Sequence, residues 1–403
     1  MPTVPVGLAY VASATKRAGH DVVLLDLMFE PDPLEAVRKK TSEHDPDAIG
    51  ISVRNIDDQS RKNPQFLLQQ VRTVMAACRA ASKAPIILGG AGYSLFPDAV
   101  LNYLGADFGI EGDGETVFPL LLNRLSNKAK YDDLPGLHIA GRIGSVAPQF
   151  TQNLNICNFP DKELLSFVDP NRADVWIPVQ SRRGCPNDCA YCATFRIQGR
   201  TIRSCSPQII TDGLRRLAQA GFRQFYFVDN SFNIPETHAL AICNGMKGLG
   251  ADIRWRCIIY PEKVSEELVK EMAASNCSEV ALGFESGNEI VLKALNKRFS
   301  PANVRAVSDL FARYGIRRTG FLLLGGPGET HESVEESLAF AESLHLDSLR
   351  LTVGIRIYPR TPLARTAIEE GVIGADDDLL QPKFYLAPGL EPWIYERVTP
   401  GMY

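Results

Sequence analysis

The chain has 403 residues, 45% hydrophobic, 22% charged and 8% aromatic, with a formal net charge of -4, which suits two or three domains folded along their whole length. That balance excludes a broad cationic surface, since basic pairs such as Arg182-Arg183 and Arg317-Arg318 are isolated, and nucleic acid is not expected as a partner. No apolar run is long enough to cross a membrane and the N-terminus lacks the pattern of a signal peptide, so a cytoplasmic protein without a transmembrane segment is expected.

Residues 1–126 alternate strand-like runs with amphipathic helical stretches. Strands are predicted at 21–27 ("DVVLLDL"), 47–53, 84–90 and 106–112, which makes a parallel α/β sheet of Rossmann type. Its ligand-binding edge is expected beyond the strand carboxyl ends, at loops 54–60, 89–94 and 111–116. Residues 127–175, dense in Pro, Asn, Asp and Gly, are expected to be a linker with a short hairpin. From 176 to 372 the alternation resumes, with strands predicted at 176–181, 224–230, 253–259, 279–285, 320–326 and 349–357. Six strands alternating with helices predict a (β/α)6 partial barrel with chemistry at the strand C-termini. Residues 373–403, rich in Pro and aromatics, are expected to be an irregular lid or packing tail.

Nine cysteines, most of them scattered (Cys78, Cys157, Cys205, Cys243, Cys257, Cys277), fit a reducing compartment better than a disulfide framework. Three are crowded together in "SRRGCPNDCAYCATFRIQGR", residues 181–200, as Cys185, Cys189 and Cys192. On a strand-to-helix loop, Cys-x3-Cys-x2-Cys brings three thiolates to one side of a turn, where they share one iron–sulfur cubane and leave its fourth iron to a chelator from outside. Arg182 and Arg183 are placed to offset the charge. The alternatives are a zinc site completed by a distant Cys or His, and three thiols packed as small apolar groups.

This spacing, with the aromatic Tyr191 ahead of the last cysteine, resembles the signature of the radical S-adenosylmethionine (SAM) enzymes. The resemblance implies a 4Fe-4S cluster, SAM chelated to its open iron, and reductive cleavage of SAM to a 5'-deoxyadenosyl radical. It implies the partial barrel as well, in agreement with the strands counted above. "GFESGNEIVLKALNKRFS" (283–300) is similar to the family's fourth-strand segment, where Glu285 and Ser286 would reach the ribose or amino-acid part of SAM. "FLLLGGPGET" (321–330) is similar to the fifth-strand motif near the adenine, with Gly325, Gly326 and Pro327 admitting the ligand to the backbone. "FVDNSFN" replaces the usual Gly-Gly-Glu and offers Asp229 and Asn230 to the amino group of SAM. Taken singly these residues also read as a solvated carboxylate, a strand-end turn and a helix N-cap.

The N-terminal segment resembles the cobalamin-binding domain that precedes the barrel in one subclass of the family, its glycine-rich turns (Gly89, Gly90, Ser94, Gly112, Gly114, Glu115) admitting the nucleotide tail and corrin edge. The chain opens at the first helix of that domain, so the leading strand is expected to be missing. The Asp-x-His-x-x-Gly motif is absent, and none of the histidines (His20, His44, His138, His238, His331, His345) falls in the strand-end loops, so cobalt is expected to lack a protein histidine. Arg54 and Asn55 stand beside the expected lower face, where a cation favours Co(I); the alternative is a surface pair of Arg54 with Asp57 or Asp58.

The resemblance implies a cobalamin-dependent radical SAM methyltransferase acting on a carbon of a small metabolite, lipid or natural-product intermediate. One SAM would methylate cobalt, a second would yield the radical, and methylcobalamin would deliver the methyl group. An electron donor such as flavodoxin or ferredoxin is implied. Arg200, Arg203, Arg254, Arg256, Arg356 and Tyr358 are candidates to bind substrate, with barrel-wall or surface positions as the alternative; Arg196 shares that choice. The other readings are a radical cyclase or rearrangement enzyme in which cobalamin donates no methyl group, an iron–sulfur or cobalamin-binding protein without SAM chemistry, and a zinc hydrolase.

Overall fold

Ile49–Ser52, Ile86–Gly89 and Phe108–Ile110 form β1, β2 and β3, three parallel strands joined in that order. The computed structural model describes residues 4–142, 144–157, 165, 168–170, 172 and 174–398. Parts of the expected linker and the last residues of the expected tail therefore lie outside the described residues. The chain divides into two units: Met1–Asp58, Gln65–Trp176 and Thr194–Gly199 form the first, and Gln59–Pro64, Ile177–Ala193 and Arg200–Tyr403 the second.

In the first unit, β4 (Leu137–Ile139) adds to β3 in antiparallel fashion, so the sheet runs on into the segment expected to be a linker. Ile87, Phe108, Ile110, Val117, Leu121, Leu134 and Leu137 close its core. Helix Val6–Arg17 packs on helix Gly114–Ser126, and helix Pro33–His44 on helix Leu68–Ala81. The predicted strand at 21–27 is a miss. Its apolar residues make no ladder among the described residues, Val23 is 53% exposed, and the run ends in the short 3-10 turn Leu27–Phe29, capped by Asp26. A β-branched run becomes a strand only where a neighbouring strand takes its N–H and C=O groups.

The second unit holds β5 (Ile177–Val179), the hairpin of β6 (Arg182–Arg183) and β7 (Arg203–Ser204), then β8 (Gln224–Phe227), β9 (Arg254–Ile259), β10 (Cys277–Glu285), β11 (Arg317–Leu324) and β12 (Ser348–Val353). β5 and β8 to β12 pair in chain order, all parallel, as a six-stranded sheet with helices in the connections. This is the (β/α)6 partial barrel. Trp255 on β9 is fully buried, its ring against Phe227 and Phe232, and its Nε1–H donates to the Ser275 carbonyl at 2.7 Å.

The C-terminal segment is more ordered than its composition suggests. β13 (Ile355–Arg356) pairs with β14 (Phe384–Tyr385), helix Trp393–Arg397 follows, and Leu379, Leu380, Tyr385, Leu390 and Ile394 are buried. Spaced apolar residues anchor what Pro and Gly make irregular in local pattern.

Truncating Trp255 to Ala leaves a large void and an unpartnered Ser275 carbonyl, and is expected to lower stability by about 3–5 kcal/mol in urea denaturation. Val23→Ser, in the segment without a ladder, is expected to stay within about 0.5 kcal/mol of wild type; a comparable loss there would show that 21–27 is a packed strand.

Candidate functional site

The thiol loop begins with a backbone constraint. Gly184 has φ +90°, and a Cβ there would stand 2.0 Å from the Thr201 carbonyl oxygen, so only glycine lets the β6–β7 hairpin close and present Cys185. Beyond it, the Ala190 N–H donates to Leu295 O, Leu363 N–H to Ala190 O and Cys192 N–H to Cys189 O. Asn296 Nδ2 donates to the Asp188 carbonyl, and Arg298 pairs with the Asp188 carboxylate at 3.0 Å. The loop is thus fastened to the segment after β10.

Cys185, Cys189 and Cys192 are free thiols, half-buried, and close enough for Cys189 to feel the charge of both others. Among the described residues no three His, Cys, Asp or Glu are gathered to hold a single ion. Three thiols on one short loop suit the three-cysteine ligation of an iron–sulfur cubane. Burial pushes the Cys185 and Cys189 thiols up from their ordinary value, while the ammonium of Lys297 opposes that shift. Cluster ligands must be thiolates, so a fixed cation here favours loading.

Lys297 was not among the residues anticipated from sequence. Its side chain is 4% exposed, and its Nζ donates to Tyr191 Oη at 3.0 Å and to Glu285 Oε1 at 3.2 Å. Tyr191 Oη in turn donates to Glu285 Oε1 at 2.9 Å, and the Lys297 ammonium stands 5.2 Å from the Tyr191 ring centroid. Burial disfavours the cation, but Tyr191, Glu285 and Cys189 more than offset it and hold Lys297 well above the usual lysine range. Glu285, the last residue of β10, has φ +65° and follows a register shift between Gly283 and Glu285. A non-glycine residue in that region is strained. The structure thus brings together Tyr191 and Glu285, both anticipated, around a lysine whose only local signal was its place among the basic residues of "LKALNKRFS".

Other anticipated residues are placed differently. Ser286 is fully buried; its hydroxyl meets Ser337 Oγ at 2.8 Å and accepts from the Asn288 N–H, so it holds the turn behind Glu285. Asp229 is 1% exposed; Oδ1 accepts from the Ser181 and Arg182 N–H groups and Oδ2 from the Ser181 hydroxyl. Asn230 is half-buried beside it. The Gly325 and Gly326 amides donate to Glu329 Oε2, and a Cβ on Gly325 would meet Leu386 at 2.3 Å, so close packing of the C-terminal segment already requires that glycine. Pro327 is half-buried at the same turn.

Of the substrate candidates, Arg254 opens β9 and lies at the end of the strand opposite the thiol loop, a correction to its expected position. Arg256, two residues on, lies over the Tyr226 ring at 4.7 Å. Arg356 is buried, donating to the Ile357, Leu379 and Lys383 carbonyls, which makes it a clasp for the C-terminal segment. Tyr358 accepts from Gln59 Nε2 at 3.1 Å. Arg203 is buried in the β6–β7 hairpin and Arg200 is exposed.

In the first unit the three strand-end loops are knitted together. The Gly92 N–H donates to Val53 O, Ser94 Oγ donates to Gly90 O, and the Gly112 N–H donates to Ser94 Oγ at 3.0 Å. Gly90, at φ +99°, has Val53 O only 2.7 Å from where its Cβ would be. Gly89 ends β2, Gly114 starts the helix after β3, and Glu115 is buried in its first turn. These close approaches pack the loops after β1, β2 and β3 against one another at the strand carboxyl ends, the edge where parallel α/β sheets bind ligands. Arg54 and Asn55 are exposed beside it, and Arg54 forms no ion pair among the described residues, with Asp57 and Asp58 or otherwise. An unanticipated network runs from exposed Asp98 through buried His138 (Nδ1, 2.7 Å) to buried Glu111 (Nε2, 3.2 Å) and on to Arg196 (3.1 Å). Burial disfavours the His138 cation, yet its hydrogen bonds to Glu111 and Asp98 prevail and raise its pKa. Both ring nitrogens are thereby engaged. Arg196 is committed to Glu111 on this evidence of geometry.

Against known families, residues 179–341 match the Radical SAM superfamily and residues 1–122 the B12 binding domain. An uncharacterized methyltransferase of Pyrococcus horikoshii is 26% identical over 377 residues, 92% of this chain and 79% of the relative. Cytidylyl-2-hydroxyethylphosphonate methyltransferase of Streptomyces wedmorensis is 25% identical over 443 residues, 94% of this chain and 80% of the relative. The radical SAM methyltransferase TsrM from Kitasatospora setae, solved with cobalamin and a 4Fe-4S cluster bound, superimposes with a TM-score of 0.84 at 20% identity, covering 97% of this chain and 83% of that one.

Lys297→Met leaves Glu285 without its cation and the thiols without theirs. The expected result is a loss of about 3–5 kcal/mol, or, where the protein still folds, an iron content well below wild type after anaerobic reconstitution. Glu329 gives a second expectation, because burial raises its carboxyl from 4.5 to about 7. A carboxyl raised on folding contributes stability that is present in full below about pH 4.5 and is lost as the pH climbs through about 7, on the order of 3 kcal/mol in total. Urea midpoints at pH 5 and pH 8 are expected to differ less in Glu329→Gln than in wild type.

Proposed function

The chain belongs to the radical SAM superfamily and carries a B12-binding domain ahead of its barrel, and we propose that it methylates a carbon atom of a small metabolite, lipid or natural-product intermediate. Transfer of a methyl group to carbon is the chemistry its relatives support, and the two domains imply a 4Fe-4S cluster, SAM and cobalamin. The observation that carries the reading in this chain is the half-buried thiol triad set against the Tyr191–Glu285–Lys297 group at the strand ends of the barrel. When bound, the cluster supplies an electron for opening the SAM sulfonium and the corrinoid supplies a methyl carrier.

The residues divide the work as follows. Cys185, Cys189 and Cys192 would hold the cluster, with the Lys297 ammonium opposing the upward push of burial on the Cys185 and Cys189 thiols. Glu285 has Oε1 fixed by Tyr191 and Lys297. That arrangement leaves Oε2 to accept from a hydroxyl or ammonium of SAM. Pro327 and the backbone of Gly325–Gly326 would line the adenine side, with their amides already satisfied by Glu329. In the first unit, Gly89, Gly90, Ser94, Gly112, Gly114 and Glu115 would receive cobalamin, and exposed Arg54 and Asn55 its lower face. Arg200, exposed at the surface, is the substrate candidate that suits an acidic or polar group. A one-electron donor of the flavodoxin or ferredoxin kind would complete the system. Among the described residues no helix is long and apolar enough to cross a membrane.

The test uses the full chain reconstituted anaerobically with iron, sulfide and hydroxocobalamin, given methyl-labelled SAM, a strong reductant and a small-molecule extract. The expected outcome is label on carbon in a product with two SAM consumed per turnover, and no label with Cys189→Ala. Deoxyadenosine without any methylated product would replace this reading with the cyclase or rearrangement one. Arg54→Ala is expected to change the visible spectrum of the bound corrinoid; an unchanged spectrum and an unchanged rate would remove Arg54 from the site.

A further inference from the structure

Arg182 opens the β6–β7 hairpin, three residues ahead of Cys185. Its side chain is 2% exposed, yet only part of it is satisfied. Nη2 donates to the Ser231 carbonyl, while Nε and Nη1 are buried without a hydrogen-bond partner. The nearby carboxylate does not supply one. Asp229 spends Oδ1 on the backbone N–H groups of Ser181 and Arg182, and Oδ2 on the Ser181 hydroxyl. His238, 3.2 Å from Ser181 Oγ, is held below its ordinary pKa first by burial and then by the Arg182 charge, so it offers no anion either. The other charge acting on the guanidinium is the sulfur of Cys185.

A buried guanidinium with idle donors is costly unless something anionic meets it. Asp229 neutralises part of its charge through space, and the remaining N–H groups await a partner that the protein's own oxygens do not provide. We propose that Arg182 is a positioning and tuning residue, donating its idle N–H groups to the sulfur shell at Cys185, either the thiolate itself or an adjoining sulfide. This rests on the assignment of Cys185, Cys189 and Cys192 as the cluster's ligands. Hydrogen bonds to cluster sulfurs and a fixed positive charge both favour the state carrying the extra electron, and thereby raise the reduction potential. A guanidinium suits the task better than an ammonium because its planar fork meets two acceptors at once and it stays charged when buried.

The experiment is an EPR-monitored redox titration of the reconstituted full chain without SAM, on wild type, Arg182→Met and Arg182→Lys, with iron and sulfide measured on each. In Arg182→Met, with metal content unchanged, the reduced-to-oxidised ratio at a fixed potential is expected to fall about tenfold, which is ~59 mV for one electron. Arg182→Lys, which keeps the charge and loses the fork, is expected to fall by a smaller amount. A midpoint equal to wild type in Arg182→Met overturns the proposal. If that variant does not fold, a wild-type midpoint in Arg182→Lys overturns it instead. An unchanged midpoint together with loss of the spectral change that SAM causes assigns the guanidinium to the SAM carboxylate, which also overturns it. Wild-type protein that takes up no cluster contradicts the cysteine assignment, an outcome separate from all of these.

Discussion

A lysine ammonium, 4% exposed, sits where the thiol loop, the end of β10 and the turn after helix Glu289–Ala294 meet. Water is denied to Lys297, so its charge has to be balanced by groups the fold brings to it: the Glu285 carboxylate, the Tyr191 hydroxyl and the thiols. The requirement runs in both directions. Glu285 holds a left-handed backbone conformation that a glutamate does not choose, and the ion pair is what keeps its side chain at the strand end. The thiol loop, whose Asp188 is fastened by Asn296 and Arg298, is carried on the two residues flanking Lys297. One buried cation thus ties the thiol loop to Glu285 at the end of β10.

The same economy of polar groups recurs at the other strand ends. Asp229 ties down the Ser181–Arg182 turn, Glu329 takes the Gly325 and Gly326 amides, and Ser94 joins Gly90 to Gly112. Each of these side chains satisfies backbone groups that a loop at a strand end would otherwise leave to water. The loops are therefore preorganised before any cofactor arrives, and the cost of ordering them is not charged against binding.

This explains which parts of the site were legible in the sequence. The thiol spacing and the glycines were, because each encodes a local constraint: three sulfurs on one turn, or a backbone with positive φ such as Gly90 and Gly112. The barrel strands were, because short runs rich in β-branched and aromatic residues between turn signals and helical stretches read as strands. Ser286 and Asp229 were assigned to the ligand because position along a strand was readable while side-chain direction was not. The bulge ahead of Glu285 turns Ser286 toward Ser337, a shift no spacing records. "DVVLLDL" has strand composition, but whether a run pairs depends on a partner elsewhere in the chain. Lys297 was illegible for a similar reason: Lys293, Lys297 and Arg298 share one short segment, and only tertiary packing decides that the second is buried while Arg298 stays half exposed on its salt bridge to Asp188.

Two buried cations flank the thiols, and they differ in what they lack. Lys297 gives hydrogen bonds to Tyr191 and Glu285, and its charge acts on the sulfurs before a cluster is present by opposing the effect of burial on the thiols. Arg182 has two nitrogens unmet, so its strongest interaction is still to be made when a group with acceptor sulfurs occupies the loop. A charge whose partners are already in place stabilises the fold and the ligands' ionisation; a charge with idle donors costs the apo fold stability and returns it on loading. The pair therefore separates two properties that a single cation would combine, the readiness of the cysteines to bind and the ease with which what they bind accepts an electron.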